Sequence, residues 1–137
     1  MELQIIEIRE ASTKEERIFM KAKTKSNLSN YLIYDETFDA EGNLSNYLIY
    51  DETFDAEGNP SNLLPHMYRL PNIVVEEGDY VSLRTQHKNR KYSKGTLGDN
   101  KTPCHYLYWG LDTNIFNNDG DTVHLIKIAD EQKKNVK

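Results

Sequence analysis

Four histidines, a single cysteine, two kinds of acidic loop and one basic run are the groups in this chain with chemistry to offer. His66, His87, His105 and His124 lie on separate segments and form no i, i+3 or i, i+4 pair, so no single element presents two imidazoles to a metal ion. Cys104 is the only cysteine, which excludes an intramolecular disulfide and a thiolate zinc cage. Its neighbour His105 invites a nucleophile–base reading. Adjacent residues of a strand point to opposite faces, however, so the pair cannot meet, and Cys104 reads as a structural thiol. The acidic loop from Asp35 to Glu41 (D-E-T-F-D-A-E) offers oxygen ligands but lacks the Asp-x-Asp-x-Asp-Gly spacing of a calcium loop. Asn117–Asp121, N-N-D-G-D, is explained by turn geometry alone. With no catalytic triad, phosphate-binding glycine loop or metal cluster in view, the chain is expected to be neither an enzyme nor a cofactor carrier.

The candidate binding residues are Lys88, Arg90, Lys91 and Lys94, interleaved with Tyr92. Such a run can contact phosphates in a salt-sensitive, sequence-blind way, which makes an accessory nucleic-acid-binding module the alternative function. Charge opposes it: 17 Lys and Arg stand against 22 Asp and Glu, a formal net charge of −5, where dedicated nucleic-acid binders are basic. Asn27-Leu28-Ser29, Asn43-Leu44-Ser45 and Asn100-Lys101-Thr102 fit the glycosylation acceptor pattern, which matters only in a eukaryotic secretory route.

The elements that must position these groups are strands. Glu2–Arg9 carries apolar Leu3, Ile5 and Ile8. Arg17–Lys23 alternates, with Ile18, Met20 and Ala22 on one face against Phe19, Lys21 and Lys23. Tyr31–Tyr34, His66–Leu70, Ile73–Val75, Tyr80–Thr85, His105–Leu111 and Thr122–Ile128 are further short β-forming runs, each bounded by turn residues. Thr24–Asn27 reads as a turn. Gln86–Pro103 is polar and aperiodic and reads as a long surface loop. No amphipathic helix is visible, and the expected class is an all-β sandwich. At 137 residues the chain is one domain, 1–128, with a charged tail, 129–137. Mean hydropathy is −0.77, and no apolar run approaches the roughly 20 residues that span a bilayer. The opening M-E-L-Q-I-I-E-I-R-E has neither the basic nor the apolar region of a signal peptide.

One stretch, L-S-N-Y-L-I-Y-D-E-T-F-D-A-E-G-N, occurs twice without a mismatch, at 28–43 and 44–59. A sandwich or barrel built from drifted repeats would show variation between copies, so the pair reads as a recent or engineered duplication within a complete domain. Because sixteen is even, a slip by one copy returns the same side chains to the same faces. Tyr31, Leu32, Ile33 and Tyr34 therefore compete with Tyr47, Leu48, Ile49 and Tyr50 for one strand position. Loop entropy favours docking of the first copy. The surplus Y-L-I-Y is then expected to pair with a sheet edge of another molecule.

Several segments, in order, resemble the lamin tail domain, an immunoglobulin-like family. They are L-Q-I-I-E-I-R-E with E-R-I-F-M-K-A-K-T-K-S-N, then Leu28–Asp35, then Tyr68-Arg69-Leu70-Pro71, then Ile73–Thr85 around Gly78, and finally Leu107–Ile128 with Trp109. The chain departs from the family's pattern at Asn30-Tyr31, where Gly-Trp is usual, and at Glu76-Glu77. The resemblance implies a non-catalytic immunoglobulin-like β-sandwich acting as a binding or scaffold module. It further implies a protein partner and a place on a bacterial surface or among secreted proteins.

Overall fold

The computed structural model describes residues 1–35, 53–54, 60–61, 67–87, 89–98, 101–111 and 123–128. Alternation organises it from the start. β1 (Leu3–Arg9) pairs antiparallel with β2 (Arg17–Ala22), and the register shifts between Ile5 and Glu7. That bulge takes Ile6 out to solvent, 46% exposed, and lets Ile5 and Ile8, three residues apart, both pack against the core. The polar corner between the strands contains left-handed Glu10 and Ser12. Buried Glu16 holds it, accepting from the Ser12 amide at 2.9 Å and from Thr85 Oγ1 at 3.0 Å.

β2 buries Ile18, Met20 and Ala22 as its spacing predicts. Phe19, expected on the solvent face, is also only 5% exposed. The Arg9 guanidinium lies over its ring at 4.2 Å, and Tyr80 stacks on it at 5.1 Å. Side chains of the neighbouring strands thus cover an apolar group that the core does not reach.

The chain then forms β3 (Ser26–Asn27), one 3₁₀ turn (Leu28–Asn30) and β4 (Tyr31–Asp35). Thr24–Asn27, expected as a turn, instead places Ser26–Asn27 in a short ladder with β8 (Val74–Val75). Asn27 Oδ1 caps the 3₁₀ turn by accepting from the Ser29 amide at 2.9 Å and the Ser29 hydroxyl at 2.8 Å. β5 (Thr53–Phe54) pairs with β6 (Pro60–Ser61). β7 (Met67–Arg69) and β9 (Tyr80–Arg84) follow the expected strands, and Gly78 takes φ 88° in the turn between β8 and β9.

Gln86–Pro103 is not wholly a loop. Ser93–Leu97 forms β10, paired antiparallel with β11 (Thr102–Tyr108). The run S-K-G-T-L carries no apolar alternation because β10 is an edge strand with little buried surface. Backbone pairing and the Tyr106 ring lying against Gly95 hold it in place. β12 (Val123–Lys127) ends the described chain.

The fold is all-β. One sheet has the order β1-β2-β9-β11-β10, and a second has the order β12-β4-β7. Leu3, Ile18, Met20, Val81, Leu83 and Leu107 of the first sheet share one hydrophobic core with Tyr31, Ile33 and Tyr68 of the second. Trp109 packs on Tyr68 with ring centroids 5.5 Å apart. Among the described residues no helix is long and apolar enough to cross a membrane. The tail 129–137 and the turn Asn117–Asp121 lie outside the described residues.

Candidate functional site

The first copy of the repeat occupies the central strand of the three-stranded sheet. In β4, Leu32 stands opposite both Ile126 and Arg69, and Ile33 opposite Leu125 and Tyr68. Tyr31 and Ile33 are buried in the core. The lead-in residues are tied down as firmly. Arg69 Nε donates to the Ser29 carbonyl at 2.6 Å, the Ile128 amide donates to the Asn30 carbonyl at 2.7 Å, and the Tyr31 hydroxyl donates to Glu2 at 2.8 Å. Asn43, Ser45, Asn46 and Tyr47 would present the same groups in the second copy. The copies differ in what precedes them, where Lys25-Ser26 corresponds to Glu41-Gly42. Lys25 Nζ lies 3.9 Å from Glu76 Oε1, a contact that Glu41 would turn into repulsion. Tyr47, Leu48, Ile49 and Tyr50 lie outside the described residues, as does the acidic loop beyond Asp35.

Of the basic run, Arg90, Lys91 and Lys94 are exposed, the first two leading into β10 and Lys94 on it; Lys88 lies outside the described residues. His87 is drawn away from the run. Its backbone is left-handed (φ 70°), and its Nε2 lies 2.6 Å from an Arg84 guanidinium nitrogen. His66 falls outside the described residues.

The polar constellation that sequence reading missed is Asp79–His105–Tyr92. His105 faces inward from β11 and is 2% exposed. Its Nε2 is 2.8 Å from Asp79 Oδ2, and its Nδ1 is 2.9 Å from the Tyr92 hydroxyl. A carboxylate only accepts, so Nε2 donates to Asp79. The same carboxylate oxygen accepts from the Glu76 amide at 3.0 Å, closing the β8–β9 turn. Burial first, and then the Asp79 charge, push the Tyr92 hydroxyl above its ordinary range. The only sequence signal would have been a histidine at an inward register position of a strand, which needs a partner from elsewhere.

Cys104 sits on the opposite face from His105, as strand geometry requires. Burial raises its thiol above the ordinary value, against the lowering influence of a Tyr106 hydrogen bond and of Arg17 and Arg9. A raised thiol in a buried position is a poor nucleophile. Cys104 is therefore not a nucleophile that His105 could activate. The Asp79–His105–Tyr92 group works as a clamp joining the β8–β9 turn, β11 and the approach to β10.

Compared with known protein families, with curated proteins and with solved structures, the chain has no match.

Proposed function

We propose that the chain is a non-catalytic immunoglobulin-like sandwich of the lamin-tail kind, working as a binding or scaffold module of a bacterial surface or secreted protein. The observation that carries this reading is the seating of one copy of the repeat in β4 while an identical copy follows in the chain. The contact between Trp109 and Tyr68 supports the family assignment, because two separate segments of the resemblance meet in one core. In this reading the second Tyr47-Leu48-Ile49-Tyr50 pairs with a sheet edge of another copy of the chain. Edge strands offer unpaired amides and carbonyls as a template, and β1, β10, β7 and β12 all end their sheets.

Sedimentation velocity of the full chain and of a variant lacking residues 44–59 tests this. The full chain should associate with rising concentration, and the shortened one should remain a folded monomer. Equal behaviour of the two would remove the reading. A second reading, accessory nucleic-acid binding, is favoured by the exposure of Arg90, Lys91 and Lys94 around one sheet edge. It requires salt-dependent binding of generic DNA that is lost in the Lys88/Arg90/Lys91→Ala variant.

A further inference from the structure

The outer face of the five-stranded sheet carries an unusual group of donors. Arg17 of β2 and Arg84 of β9 stand directly opposite each other in the antiparallel register. Like charges in that position repel. Two residues before Arg84 on the same face is Ser82, 1% exposed, with Phe19 opposite it on one side and Tyr106 on the other. Arg17 Nε, Arg84 Nε and Ser82 Oγ are buried and have no hydrogen-bond partner among the described residues. These are all the orphaned buried side-chain donors described, and they share one face of two adjacent strands. Buried donors of this kind each cost free energy unless something accepts from them.

Other charges on the face are already matched. Glu7 pairs with Arg9, Glu15 pairs with a terminal nitrogen of Arg84, and Lys21 lies over the Tyr80 ring at 5.4 Å. Arg17 has no carboxylate partner among the described residues. It stands at the first position of β2, opposite the last residue of β9.

We propose that Arg17, Ser82 and Arg84 form a binding site for a tetrahedral oxyanion of the phosphate class. Two guanidinium donors across a strand pair and a hydroxyl offset along one strand are three non-collinear donors. A tetrahedral anion can accept from all three, whereas a planar carboxylate offers acceptors in one plane. Arg84 keeps its terminal-nitrogen contacts to Glu15 and His87 while its Nε is offered to the anion, and the anion supplies the counter-charge that Arg17 lacks among the described residues. The site lies on a different strand set from the repeat, so its fate is separable from that of the self-association reading.

The test is an NMR titration of the full chain with inorganic phosphate at constant ionic strength, with acetate as the planar control. Saturable shifts of the Arg17, Ser82 and Arg84 amides are expected with phosphate and not with acetate. Arg17→Gln should weaken binding roughly tenfold or more, the loss of one charge-assisted contact. Ser82→Ala, a smaller change, should also weaken it and covers the case in which Arg17→Gln does not fold. Lys101→Gln, at an exposed residue of the turn between β10 and β11, should leave it unchanged. Methyl phosphate separates the sources: equal binding supports a phosphate carried on a larger molecule, and loss of binding supports a free anion. Absence of saturation, equal response to acetate, an undiminished affinity in Ser82→Ala, or equal weakening by Lys101→Gln would overturn the site.

Discussion

If the two copies of the repeat are interchangeable, a charge placed in one should be nearly harmless. Ile33 is fully buried in the shared core, and Ile33→Asp in a chain with one copy would cost about 4 kcal/mol or more. Here the second copy can take the strand and present Ile49 instead. With the first copy docked, connections of about 8 and about 31 residues flank the strand; with the second, about 24 and about 15. Because one connection lengthens while the other shortens, the closure terms differ by only about 0.3 kcal/mol. Replacing Lys25 by Glu41 opposite Glu76 adds a few tenths of a kcal/mol, since both partners of the present pair are well over half exposed. Ile33→Asp is therefore expected to lose about 1 kcal/mol or less, Ile49→Asp almost nothing, and the double variant the full cost of a buried charge. Urea unfolding followed by the fluorescence of buried Trp109 measures all three. The strong coupling between sites that share a role but never touch is the signature. An Ile33→Asp variant as unstable as the double variant would refute the reasoning.

Three further outcomes are expected. Asp79→Asn should cost about 2 kcal/mol and His105→Ala about 3, because each leaves a buried polar partner unmatched; denaturant midpoints equal to the parent's would show that the clamp bears no load. Glu2 is held down to about 2 from 4.5, first by the Lys127 hydrogen bond and then by that of Tyr31. Its folded value is depressed, so the stabilisation is fully present above about 4.5 and is lost as the pH falls toward 2. Glu2→Gln should lose less stability than the parent across that window, and parallel curves of thermal midpoint against pH would contradict this. Gly95→Val should destabilise β10 by about 1 kcal/mol, because even a Cβ there meets the Tyr106 ring at 3.0 Å. Faster amide exchange at Ser93–Leu97 is the readout.

Strands that bury one face were legible because burial writes itself as alternation. Ile18, Met20 and Ala22 of β2 lie in the core as their spacing predicted, and Val81 and Leu83 alternate into it from β9. Edges were not legible. β10 is held by backbone pairing, which leaves no mark on side-chain type, and β3 is two residues whose partner, Val74–Val75, lies far along the chain. Phe19 lies on the face opposite Ile18, Met20 and Ala22 as its spacing predicts, but its burial was not legible, because its cover comes from Arg9 and Tyr80 across strands. The Asp79–His105–Tyr92 clamp was hidden for the same reason: its members are far apart in sequence, and only the fold gives the histidine its carboxylate. Loop entropy favours the first copy only slightly, because the shortening of the second connection offsets most of the lengthening of the first.

The central claim is that the repeated strand makes contacts between copies of the chain. Amide hydrogen exchange at Tyr47–Tyr50, read by NMR so that the two identical copies give separate signals, tests it most directly. Measured over a roughly hundredfold range of protein concentration, protection of these four amides should rise with concentration while that of Tyr31–Tyr34 stays constant. Protection at Tyr47–Tyr50 that does not change with concentration would contradict the account.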